Sequence, residues 1–138
     1  MKKIAVALLA VMMAMVALFV TGCGGGGLTD YFGLEKKNIQ SITYKPYGKS
    51  PRTITEDKYT EFMKVFDVDY AGCSQGDIER GVTQYCITFT RDGQTFQIFL
   101  YVHTDGKIGA SMYDNVGYTS YYITTSAIEI PISLKPSM

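Results

Sequence analysis

Three cysteines, one histidine and a run of carboxylates are the groups in this sequence that could carry chemistry. Cys73 lies in an acidic, glycine-containing stretch, Val68–Gly81, and Cys86 in the alternating segment that follows. In an exported chain such a pair is expected to close as a disulfide, tying the loop to a strand and adding roughly 2–3 kcal/mol by the chain-entropy argument. Two free thiols are the alternative. Asp67, Asp69, Asp77 and Glu79 fall in or beside the same stretch. They are oxygen ligands of the kind Ca²⁺ takes, but their spacing is not that of an EF-hand loop, so a solvated acidic loop is expected and no metal. His103 stands beside an Asp-Gly turn, a place for a surface residue. To act as a base it would need Cys73 or a serine as nucleophile and a third group to orient it, which the sequence does not place. Cys73 and Cys86 alone make no zinc site, and neither a phosphate loop nor a dinucleotide glycine pattern is present, so no catalytic residue and no cofactor is expected. The competing reading is an enzyme or Ca²⁺-dependent module built from residues 67–79 and His103.

The third cysteine, Cys23, has a different context. Met1-Lys2-Lys3 is a short basic start, and Ile4–Val20 is an apolar run without a charge. At ~1.5 Å per residue its 17 residues make about 26 Å of helix, just short of a comfortable membrane span. Val20-Thr21-Gly22-Cys23 follows at once. This tetrapeptide resembles the lipobox of bacterial lipoproteins, in which a hydrophobic residue and two small ones precede an invariant cysteine. The resemblance covers residues 1–23 and implies cleavage before Cys23, with a diacylglycerol on its sulfur. The types suit the chemistry: a thiolate is the nucleophile that can take up a lipid, and each buried acyl CH₂ contributes ~0.8 kcal/mol to anchoring. Residues 1–22 are thus expected to be a signal peptide, and 23–27 the lipidated cysteine with a glycine tether reaching about 10–12 Å. Gly24, where inner-membrane retention in double-membrane bacteria often uses Asp, implies the outer membrane for such a source.

The remaining residues, 28–138, suffice for one core. Without Lys2 and Lys3 the 13 Lys+Arg fall to 11 against 13 Asp+Glu, a balance of −2 with no basic patch, which argues against nucleic acid as a partner. All 11 tyrosines lie in this part and there is no tryptophan, so Tyr and Phe supply the aromatic packing.

What must position these groups is a sheet. Val82–Met112 alternates apolar and polar residues and is broken by two Asp-Gly pairs, the signature of antiparallel hairpins. A two-residue turn at Asp92-Gly93 pairs Phe89 with Phe96, Ile87 with Ile98 and Tyr85 with Leu100, putting all six on one face. A three-residue loop, Thr104-Asp105-Gly106, with Gly106 in a bulge, extends that face through Val102–Ile108, Leu100–Ala110 and Ile98–Met112 pairs. The other face carries Cys86, Thr88, Thr90, Thr95, Gln97, Phe99 and Tyr101 and is expected to be at least partly wet. Ile39–Lys45 reads as a first strand, Arg52–Ile54 as a short edge and Tyr118–Thr124 as the last strand. Thr55–Asp67 is the one convincing helix. Thr55 suits its cap, Ile54 and Tyr59 suit a hydrophobic staple, and Tyr59, Phe62, Met63 and Phe66 form a single apolar stripe. Leu28–Asn38 holds a short helical turn ended by Gly33, Val68–Gly81 reads as a loop, and Thr125–Met138 stays open between one helical turn capped by Ser126 and the extended segment that Pro131 and the β-branched residues favour.

The expected fold is α+β: an antiparallel sheet of about five strands, hairpin plus meander, with one amphipathic helix on one face. This order resembles the small exported lipoproteins of Gram-positive gut bacteria, a likeness of pattern that implies no activity. The expectation is a membrane-anchored, extracytoplasmic, non-enzymatic binding module for an envelope protein, a secreted enzyme or a glycan. Its candidate surface is Phe99, Tyr101, Tyr113, Tyr118 and Tyr121, because tyrosine offers rigid amphipathic contact area. Plain cross-strand packing, with hydroxyls at the rim, is the competing account of the same residues.

Overall fold

The computed structural model describes residues 26–114 and 116–136. The signal peptide and Cys23 lie outside the described residues. Among those described, no helix is long and apolar enough to cross a membrane.

The sheet forms where the alternation predicts it. β1 (Ile39–Lys45), β2 (Arg52–Ile54), β4 (Gln84–Arg91), β5 (Gln94–Val102), β6 (Ile108–Tyr113) and β7 (Tyr118–Thr124) are joined by β3 (Tyr70–Gly72). They make one seven-stranded antiparallel sheet in the order β2-β1-β4-β5-β6-β7-β3. The count of about five is therefore corrected upward. The unexpected strand is β3, inside the segment read as a loop, which pairs with β7 through Tyr70–Thr124 and Gly72–Tyr122.

Both hairpin registers hold. Phe89 faces Phe96, Ile87 faces Ile98 and Tyr85 faces Leu100. Val102 faces Ile108, Leu100 faces Ala110 and Ile98 faces Met112. The turn chemistry explains why. Asp92 and Gly93 both take positive φ, 52° and 78°, as a type I′ turn requires. Gly106 at φ 89° supplies the left-handed residue of the bulged loop.

The apolar face carries the core. α1 (Leu28–Phe32) ends at Gly33, whose φ of 66° closes the turn. α2 is shorter than the expected Thr55–Asp67: a 3₁₀ turn, Glu56–Lys58, leads into Tyr59–Phe66. Thr55 makes no capping hydrogen bond to the backbone. Its hydroxyl goes to the Asp57 side chain and holds that carboxyl below its usual range. Phe62 and Phe66 of α2 and Phe32 of α1 are fully buried with Tyr85, Ile87, Phe89, Ile98 and Leu100 of the sheet. The Phe66 ring lies 4.8 Å and the Phe62 ring 5.8 Å from that of Tyr85. Residues 125–136 form no strand or α-helix and hold a single 3₁₀ turn at Ile132–Leu134. The Tyr85 hydroxyl donates to the Leu134 carbonyl at 2.8 Å and clips this segment onto the core.

Candidate functional site

The second face of the sheet is where the predicted site residues gather. Strand pairing sets Thr43, Cys86, Phe99, Ser111 and Tyr121 side by side in one row across β1, β4, β5, β6 and β7. The Cys73 amide extends the row by donating to the Tyr121 carbonyl at 3.0 Å. The next row holds Ser41, Thr88, Gln97 and Tyr113, with Tyr118 opposite Tyr113 in register. The Tyr118 side chain lies outside the described residues. Cys86, Thr88, Gln97, Phe99, Tyr113 and Tyr121 are all half-buried on this face. Ser111 sits among them fully buried, and its hydroxyl has no hydrogen-bond partner. A desolvated hydroxyl without a partner costs about 1–3 kcal/mol.

One end of this face is closed by a segment that sequence reasoning took for a free loop. Ile78 is buried against β6. A side chain on Gly109 would bring a Cβ to 2.8 Å from Ile78 Cδ1 and 2.7 Å from His103 Nε2, so the close approach requires glycine there. The Glu79 amide donates to His103 Nε2 at 3.0 Å, while Glu79 Oε2 accepts from the Thr104 amide and hydroxyl. His103 is therefore buried at 6% exposure rather than lying on the surface, and Nε2 is committed as an acceptor. Arg80 lies 6.0 Å from the Tyr101 ring centroid, and Tyr101 is buried. Of the five predicted contact residues, Phe99, Tyr113 and Tyr121 form the open part, whereas Tyr101 belongs to the covered end. The signal for this cover lay in Ile78, the one apolar residue between Gly76 and Gly81.

The cysteines do not meet. Cys73 and Cys86 stand at opposite sides of the same row, four strand spacings apart. At ~4.8 Å per spacing this is about 19 Å, against the 7 Å or less between Cα atoms that a disulfide tolerates. Both are free thiols, and the expected bridge is corrected. Burial pushes both thiols above their ordinary range. The loop carboxylates do not converge either. Asp67 accepts from the Thr29 amide and hydroxyl at 3.2 and 3.0 Å, at the start of α1. Asp77 folds back on the Ser74 amide and hydroxyl, which hold it below its usual range. Glu79 is spent on Thr104. Among the described residues no group of three or more His, Cys, Asp or Glu side chains could hold a metal ion. Of residues 67–79, Glu79 meets His103, and none of them joins it in a cluster of metal ligands.

Comparison with protein-family models, with curated proteins and with solved structures finds no match.

Proposed function

We propose that this chain is an extracytoplasmic lipoprotein, held on the membrane by acylated Cys23, whose domain is a non-enzymatic binding module. Its contact surface is the open part of the second sheet face, Phe99, Tyr113 and Tyr121 with Thr88 and Gln97 beside them. The partner is an envelope protein, a secreted enzyme or a glycan that presents a flat, weakly charged face. In support stands one observation: a neutral, half-buried aromatic and hydroxyl layer surrounds a buried Ser111 hydroxyl that has no partner among the described residues. Aromatic rings of this kind supply contact area at low entropic cost, and polar neighbours set orientation. The lipobox-like Val20-Thr21-Gly22-Cys23 supports the anchor.

The test uses the full lipoprotein immobilised from detergent and exposed to solubilised native envelope and to a glycan array. Retention of a component by the native chain, and its loss in a Phe99→Ala/Tyr121→Ala variant that still folds, is the expected result. Retention unchanged by that variant would move the site elsewhere. No retention at all would remove the binding reading.

A further inference from the structure

The glycine tether is shorter than its sequence suggests. Gly26 forms a two-way backbone bridge with Tyr70: its amide donates to the Tyr70 carbonyl at 3.2 Å, and the Tyr70 amide donates to the Gly26 carbonyl at 2.8 Å. The Tyr31 hydroxyl reaches the same Tyr70 carbonyl at 2.9 Å. Gly27 caps α1, accepting from the Asp30 and Tyr31 amides, and a side chain on it would collide with the Asp67 carboxylate. Gly26 and Gly27 thus belong to the folded unit and lie along the outer edge of β3. Only Gly24 and Gly25 separate that edge from Cys23. Chain geometry limits the span from Cys23 to Gly26 to about 11 Å.

Resting on the anchoring reading above, we propose that the β3 edge is the membrane-proximal side of the domain, facing the lipid headgroups. A stalk of two residues keeps that hydrogen-bonded strand edge within about 11 Å of the acylated Cys23, however the glycines turn. The β3 edge and β2 are the two ends of the strand order. Six strand spacings of ~4.8 Å put β2 about 29 Å farther out along the sheet. The neighbours of the β3 edge include the exposed carboxylates of Asp30, Asp67 and Asp69, which an anionic bilayer repels, so the short stalk and not charge holds this edge near the headgroups. The sheet then stands on its edge, with the plane of the Phe99–Tyr121 layer parallel to the membrane normal and its face turned sideways, toward a partner standing on the same surface.

The orientation is read with lipoprotein purified from membranes and reconstituted in vesicles carrying a headgroup quencher. Fluorophores are placed by Asp69→Cys beside β3, or by Thr53→Cys on β2, in a Cys73→Ser/Cys86→Ser background. Quenching severalfold greater at position 69 than at 53 is expected. A second variant with twelve Gly/Ser residues inserted between Gly24 and Gly25 leaves the Gly26–Tyr70 bridge in place. In it the difference should collapse. Equal quenching at the two positions in acylated, short-stalked protein would overturn the orientation alone. The N-terminal mass, measured first, separates the two ideas: an unmodified Cys23 overturns the anchoring reading and this proposal with it.

Discussion

The two faces of one sheet are built from the same strands by the same alternation, yet they meet opposite demands. On the first face Tyr85, Ile87, Phe89, Ile98 and Leu100 are fully buried under α1, α2 and the C-terminal segment. Their one conspicuous hydroxyl, on Tyr85, is satisfied by Leu134. On the second face Phe99, Tyr113 and Tyr121 are half-buried, and Ser111 is desolvated without a partner. The fully buried rings are thus concentrated on one side, while the named rings of the other stay partly exposed. Burial of aromatic groups alone does not separate the two faces, and neither does an unpaired hydroxyl, since Tyr70 in the core cluster has one as Ser111 does; what separates them is how much of each ring stays exposed.

Large-to-small changes break the comparison most directly. Phe62→Ala on the core side is expected to cost about 3–5 kcal/mol, as buried aromatic truncations do. Phe99→Ala on the second face should cost clearly less, because its ring is only half-buried. Denaturant unfolding of the two variants checks this, and equal costs would mean that the second face is a second core. Next in size are two tyrosines whose hydroxyls differ in one respect. Tyr85→Phe strands the Leu134 carbonyl and should destabilise by about 1–3 kcal/mol. Tyr70→Phe removes a buried hydroxyl that has no partner and should be neutral or stabilising. Burial holds both phenols above the ordinary tyrosine range. The folded state therefore keeps both protons when the unfolded chain begins to lose them near pH 10. Stability is unaffected by these groups below that pH and falls as pH rises through it, by up to about 1.4 kcal/mol per pH unit for each tyrosine. Thermal unfolding between pH 8 and 11 should show the fall, and either Phe substitution should reduce its slope.

The registers of the central hairpins were legible because Asp92-Gly93 and Thr104-Asp105-Gly106 are local turn chemistry, and alternation leaves one arrangement that keeps Tyr85, Ile87 and Phe89 on the side of Ile98 and Leu100. β3 was not legible. Tyr70-Ala71-Gly72 is too short to show a period, and its partners in β7 lie some fifty residues away, so nothing local announces the pairing. The same holds for Gly26, which forms a strand bridge only because Tyr70 is already held there. Cys73 and Cys86 are near in sequence, which invited a bridge. The chain crosses the sheet from β3 at one edge to β4 beside β1 between them, and sequence nearness became separation. His103 and Glu79 came together through a loop-to-turn clasp that ordinary residue types at ordinary spacing do not signal.

The smallest expected effects test the second face itself. Cys73→Ser and Cys86→Ser should leave the melting temperature nearly unchanged, and reductant should not shift it, because no bond joins the two thiols. Thiol titration under denaturing conditions without reductant should count both. Ser111→Ala is the sharper case. If its hydroxyl is an unsatisfied group in the free domain, removing it relieves a desolvation penalty and raises stability by up to about 1 kcal/mol. Ser111→Val instead replaces the hydroxyl with a methyl and adds a second methyl between Phe99 and Tyr121, which should push those rings outward at some cost. A stabilising Ala beside a destabilising Val marks a tightly packed site with one unpaired polar atom. Two destabilising changes would show that the Ser111 hydroxyl is satisfied in solution, and the difference between the two faces would then be one of exposure only.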